Sequence, residues 1–194
     1  MQIILHRVNS SLDLKVIPKK LGVEIDIRSS NGNLILQHDP FKQGETFIKW
    51  LDFWKGQFLV LNVKEEGLEE EIQRILSKRE IENYFFLDQS FPFLVKTIKS
   101  GNTKVSARVS DLESLQTAVS VDCDWVWIDC FEGNWNFLKN VIPVLKSHNK
   151  KICLVSPELV RNQSDEELKL LKLVLQGHNL AVDAVCTKKA AFWV

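Results

Sequence analysis

Short runs of β-branched and aromatic residues alternate along the chain with longer stretches whose apolar positions recur every three or four residues. The short runs predict strands at 2–6, 23–28, 58–64, 84–88, 104–109, 125–130, 152–155 and 182–186. The longer stretches predict amphipathic helices at 47–54, 68–78, 91–99, 112–119, 135–147 and 166–175. The two rhythms taking turns imply βα units and an α/β fold with a largely parallel sheet. Eight strands over 194 residues leave roughly 24 residues per unit. That spacing predicts a compact (β/α)8 barrel with short loops, filling 1–194 as a single domain. Gly32-Asn33 marks a hairpin-like insertion before 34–37. After the last strand the apolar tail Ala190-Ala191-Phe192-Trp193-Val194 shows no clear final helix, and is expected to cover part of the outside or to meet a partner.

Alternation within the strands sorts side chains between the helices and the axis, because successive residues of a strand point to opposite faces. In the second strand Val23, Ile25 and Ile27 form the helix-facing set, which turns Glu24, Asp26 and Arg28 inward. The third strand sends Leu59, Leu61 and Val63 outward, with Asn62 and Lys64 inward. The same parity turns Ser106 and Arg108, then Trp127 and Asp129, toward the axis. Polar inward residues at the C-terminal ends of strands are where a barrel of this kind carries its chemistry.

The early strands therefore bring His6 and His38, Glu24 and Asp26, and Arg7 and Lys64 to one end. Paired carboxylates two residues apart offer oxygen ligands to a hard divalent ion such as Mg²⁺ or Ca²⁺. Two cations suit phosphate oxygens, and two histidines supply an acid and a base near neutral pH. Together they are the tools of a phosphodiesterase.

The same residues, in the same order, resemble the glycerophosphodiester phosphodiesterase family, whose TIM barrels are related to those of the phosphatidylinositol-specific phospholipases C. Family members open with His-Arg-Gly, and this chain has His6-Arg7-Val8. Gly-x-Glu-x-Asp-x-Arg appears as Gly22-Val23-Glu24-Ile25-Asp26-Ile27-Arg28, and His-Asp-Pro as His38-Asp39-Pro40. Glu-x-Lys becomes Asn62-Val63-Lys64, Ser-Phe is Ser90-Phe91, and the closing Thr-Asp is Thr187-Lys188. The resemblance implies His6 and His38 as general acid and base, Glu24, Asp26 and the substituted Asn62 as metal ligands, and Arg7 and Lys64 as phosphate contacts. It implies attack on phosphorus by a neighbouring hydroxyl, and then opening of a cyclic phosphate by water. Arg108, Trp127 and Asp129 are candidate pocket residues by parity.

Three departures bear on chemistry. Asn62 replaces the third carboxylate, Val8 replaces a glycine, and the usual Glu-Asn-Thr segment is missing. Two carboxylates still supply two negative charges, and an amide oxygen can coordinate, so a divalent metal (Mg or Ca) is expected with reduced affinity. Glu65 and Glu66 are candidates to compensate. Two alternatives follow: a metal-independent, phospholipase C-like lyase in which Lys64 and Arg7 stand in for the ion and the product stays cyclic, or a catalytically degenerate barrel that binds a phosphorylated ligand.

Composition narrows the partners. Lys plus Arg and Asp plus Glu are 25 each, so the net charge is zero and no electrostatic footprint for nucleic acid exists. A small-molecule phosphodiester is the expected partner. No apolar run is long enough to span a membrane or form a signal peptide, and Cys123, Cys130, Cys153 and Cys186 show no metal or redox spacing. Buried thiols in a reducing, cytoplasmic setting are expected. Glu69, Glu70 and Glu71 read as the solvated start of a helix.

Overall fold

The computed structural model describes residues 1–160 and 165–194. The fold is α/β with parallel strands at its centre. The described residues fall into two compact units, one of residues 4–102 and one of 103–194 together with 1–3.

The first unit holds the end of β1 (Gln2–Leu5), then α1 (Ser11–Val16), β2 (Gly22–Ser30), β3 (Asn33–Leu36), β4 (Glu45–Thr46), α2 (Phe47–Leu51), β5 (Leu59–Val63), α3 (Glu69–Lys78), β6 (Tyr84–Leu87) and α4 (Phe91–Lys99). The strands β1, β5 and β6 run parallel in register with β2 and its neighbours, which sets Ile4 opposite Gly22, Asp26 opposite Asn62 and Asn62 opposite Leu87. Gly22 sits closely between its neighbours on β1 and before β5, since a Cβ there would lie 3.0 Å from Ile4 Cγ1 and 3.2 Å from the Phe58 carbonyl oxygen. The C-terminal half of β2 also pairs antiparallel with β3. The predicted insertion is thus a hairpin, whose two-residue turn is Asn31-Gly32, with φ of 50° and 75°. Both positive angles are what a turn matching the strand twist requires.

The second unit holds β7 (Ser106–Val109), α5 (Leu115–Ser120), β8 (Trp125–Ile128), α6 (Leu138–Ser147), β9 (Lys151–Val155), α7 (Asp165–Gly177), β10 (Ala184–Thr187) and α8 (Ala190–Trp193). Its four strands form consecutive parallel ladders. β1 contributes to it as well, through the Gln2 N–H donated to the Asp183 carbonyl.

All eight predicted strands are present, each within a few residues of its expected bounds. Buried apolar residues fill one face of each: Val23, Ile25 and Ile27 on β2, and Leu59 and Leu61 on β5, are all fully inaccessible. The predicted helices are present too, including 91–99 at its predicted bounds. Two short elements lacked a signal, α1 and the two-residue β4. α1 is too short for an apolar period and is fixed instead by Ser10, whose hydroxyl accepts the Leu12 N–H at the helix start. The tail needs a correction. It does form a final helical turn, α8, which buries Trp193, whose indole N–H donates to the Ser156 hydroxyl. The acidic run at 69–71 needs one as well. Glu69 is buried and accepts the Gly67 N–H and the Gln89 amide, so it ties the preceding loop to the start of α3 while Glu70 and Glu71 face solvent.

Candidate functional site

In the first unit, the C-terminal ends of parallel β1, β2, β5 and β6 come to one edge, and β1, β5 and β6 are each followed directly by a polar residue, His6, Lys64 and Asp88. β1 stops at Leu5 and delivers His6 and Arg7. Arg7 turns the chain with φ 56°, a conformation that is strained for a non-glycine residue. That turn aims its backbone N–H at Glu24 Oε2, 2.7 Å away. Val8 is buried; its N–H bonds the Glu24 carbonyl and its own carbonyl accepts the Trp50 indole.

The register of β2 and β5 explains the acidic centre. Asp26 sits opposite Asn62, and Glu24 lies two residues back on the same face. Glu24 and Asp26 are fully buried and Asn62 nearly so. The Asn62 amide donates to Glu24 Oε1 at 2.9 Å, while His6 Nε2 lies 3.9 Å from Glu24 Oε2. Burial, and then the neighbouring Asp26 carboxylate, push Glu24 up to about 7. Lys64 Nζ stands 3.5 Å from Asp26 Oδ1 and 3.2 Å from Asp88 Oδ2, so one ammonium bridges two strands. Arg7 Nε lies 3.9 Å from Asp26 Oδ2.

His38 enters from the loop after β3. Arg28 holds its backbone by donating Nε–H to the His38 carbonyl at 3.0 Å. Its Nδ1 lies 2.9 Å from Asp39 Oδ1, and its Nε2 lies 2.6 Å from Arg7 Nη2. A guanidinium can only donate, so Nε2 accepts and the ring proton sits on Nδ1, pointing at Asp39. His38 thus presents a lone pair beside a cation. The hydrogen bond from His38, and then Lys42, hold Asp39 below the usual carboxylate range.

His6, Arg7, Glu24, Asp26, Asn62, Lys64 and His38 therefore meet in one cluster within one unit. Arg108, Trp127 and Asp129 belong to the other unit. There Arg108 and Asp129 form an ion pair, Arg108 Nε lies 3.9 Å from Glu113 Oε1, and Trp127 is buried. Glu65 is occupied elsewhere. It accepts the Ser29 N–H and hydroxyl and the Arg28 guanidinium, which outweigh its burial and lower its pKa. It braces the hairpin instead of replacing the carboxylate missing at Asn62.

Three contributors carried no role in the sequence. Asn9 accepts the Asp26 N–H and donates to Asp26 Oδ2; Asp88 holds Lys64; Arg28 supports His38. Asp88 was foreshadowed by its place at the end of a predicted strand, whereas nothing in the pattern marks Asn9.

Among the described residues no three acidic, His or Cys side chains form a ready metal cage. Two carboxylates and an amide remain, all hard oxygen donors. Asn62 Oδ1 is buried without a hydrogen-bond partner, and Asp26 Oδ1, also without a hydrogen bond, faces only the more distant Lys64 ammonium at 3.5 Å among the contacts described. Buried oxygens left unmatched are costly unless a cation meets them. The donor set therefore fits a hard divalent ion.

A chain of Agrobacterium tumefaciens str. C58 described as a glycerophosphoryl diester phosphodiesterase superposes with a TM-score of 0.69 at 10% identity, covering 97% of this chain and 93% of that one. A glycerophosphodiester phosphodiesterase from Parabacteroides distasonis gives 0.69 at 13% identity over 99% and 94%. Another from Agrobacterium tumefaciens gives 0.64 at 11% identity over 100% and 99%. The chain has the fold of the glycerophosphodiester phosphodiesterases. No family model matches it, and no curated protein matches it in sequence. The glycerophosphodiester phosphodiesterase fold thus reaches this chain through its architecture, over nearly its whole length. Among the described residues no helix is long and apolar enough to cross a membrane.

Proposed function

We propose that the chain is a phosphoric diester hydrolase that cleaves a small glycerol- or sugar-phosphodiester by histidine acid–base catalysis. We propose also that its strands close a single (β/α)8 barrel over 1–194. The observation that carries the reading is the convergence of His38, His6 and Arg7 on the buried Glu24–Asp26 pair, in a fold shared with enzymes of that description.

In the proposed reaction Arg7 and Lys64 hold the phosphate oxygens. Entry of the phosphate draws Arg7 from His38, and the freed Nε2 takes the proton of the substrate hydroxyl next to the ester. The oxygen of that hydroxyl forms a bond to phosphorus as the bond to the leaving alcohol breaks, and His6 protonates the departing alkoxide. Water then opens the cyclic phosphate with the two histidines exchanging roles. Asp39 keeps the His38 tautomer throughout. Glu24, Asp26 and Asn62 would hold a Mg²⁺ or Ca²⁺ ion, which supplies positive charge to the non-bridging oxygens.

One observation favours a second reading, the metal-independent lyase. Lys64 already sits between Asp26 and Asp88, as a cation would. A third reading, a degenerate barrel that only binds a phosphorylated ligand, rests on Asn62 and Lys188 standing where the family has carboxylates. Zero net charge supports a small phosphodiester and no nucleic acid as partner, and four buried cysteines outside any disulfide support a cytoplasmic setting. Assaying a panel of glycero- and sugar-phosphodiesters with Mg²⁺, with Ca²⁺ and with a chelator separates the three. Metal-dependent turnover to a linear phosphate supports the first reading, and turnover that survives chelation and stops at the cyclic product supports the second. An intact panel under every condition leaves only the third.

A further inference from the structure

Asp26 has two carboxylate oxygens with different surroundings. Oδ2 accepts the Asn9 side-chain amide at 2.8 Å, and Oδ1 has no hydrogen-bond partner although the residue is fully buried. The Asn9 amide oxygen in turn accepts the Asp26 backbone N–H at 2.9 Å. One side chain thus grips both the main chain and the carboxylate of Asp26, from the loop between β1 and α1. A carboxylate held through one oxygen is restricted in its rotation, so the other oxygen favours one direction. That direction is toward cationic ground, since Lys64 Nζ is 3.5 Å from Oδ1.

We infer that Asn9 is a positioning residue, which turns Asp26 Oδ1 and not Oδ2 toward the divalent ion. The role rests on the metal reading above and adds to it a residue outside the His-Arg, Glu-x-Asp and His-Asp-Pro motifs. The chemistry is that of an outer partner to a ligand. Such a partner fixes the ligand's orientation, and its loss lowers metal affinity about 10–100-fold without removing a ligand. In this chain the demand is heightened because Asn62 stands where a third carboxylate would be. With one formal charge fewer, affinity depends more on how well the remaining two are aimed.

The test is calorimetric titration of Mn²⁺ into the whole protein, with no substrate present. Asn9→Ala is expected to weaken Mn²⁺ binding about 10–100-fold. Asn9→Ser, whose hydroxyl can replace one of the two bonds, should fall between it and the wild type, and keeps the test open if the alanine variant does not fold. Ser10→Ala is the control for loop damage. It removes the α1 cap on the neighbouring residue and touches no part of the site, so it should lower the melting temperature and leave Mn²⁺ affinity unchanged. Folded Asn9 variants that bind Mn²⁺ as tightly as the wild type overturn the role of Asn9 alone, as does an equal loss of affinity in Ser10→Ala. A wild-type protein that takes up no Mn²⁺ overturns the metal reading itself, and the positioning role with it.

Discussion

At the scale of single residues the site is an electrostatic compromise. Glu24 is the clearest case, buried beside Asp26 and raised from 4.5 to about 7. A carboxyl whose folded pKa lies above its unfolded value binds its proton more tightly in the folded state, so its contribution to stability is full below about pH 4.5 and is lost as pH rises through 7. Metal-free protein should lose on the order of 2–3 kcal/mol from this group across that window. Urea unfolding at pH 5 and pH 8 measures it, and Glu24→Gln should flatten the difference; a wild-type protein as stable at pH 8 as at pH 5 would contradict this. The carboxyl of Asp111 provides the opposite sign. Burial raises its pKa, but the N–H groups of Phe131 and Glu132 outweigh that and lower it. Its contribution is present above its unfolded value and lost as pH falls through the lowered one, so urea unfolding should find Asp111→Asn destabilised at pH 7, by an amount that shrinks as the pH is lowered.

At the scale of elements, two features position the chemistry. The hairpin of β2 and β3 returns the chain so that His38 reaches Arg7, and its turn needs positive φ at Gly32. Gly32→Ala should cost about 1 kcal/mol or more through backbone strain alone, because the added Cβ meets open space. Chemical denaturation checks it, and an unchanged midpoint would argue against the turn geometry. α8 is the second feature. Trp193 is buried and tied to Ser156, so Trp193→Ala should lower stability by about 3 kcal/mol or more. A variant as stable as the wild type would mean that the tail is not part of the fold. The strands and long helices were legible because each carries its own period. α8 was not, because four residues cannot display one, and its driving force is the burial of a single indole.

At the scale of the molecule, the balance of 25 basic and 25 acidic residues conceals local order. Arg7, Lys64, Glu24, Asp26 and Asp88 are drawn together by parallel register, and strand parity was enough to gather all of them but Asp88 from the sequence. Parity could also nominate Arg108, Trp127 and Asp129, but it could not foresee that Arg108 and Asp129 neutralise each other. Nor could it find Asn9, whose role depends on where a loop folds back on β2. What parity cannot reach is side-chain pairing, since that depends on distances no alternation encodes.

The central claim is phosphodiester cleavage by His6 and His38. The most direct measurement follows a glycerophosphodiester by ³¹P spectroscopy with Mg²⁺ or Ca²⁺ present, using wild type, His6→Ala and His38→Ala, each checked for folding. The account predicts conversion of the diester resonance by the wild type and a rate about 10²–10⁴-fold lower in each variant. Folded wild-type protein that leaves every diester intact, or His variants that cleave as fast as wild type, would contradict it.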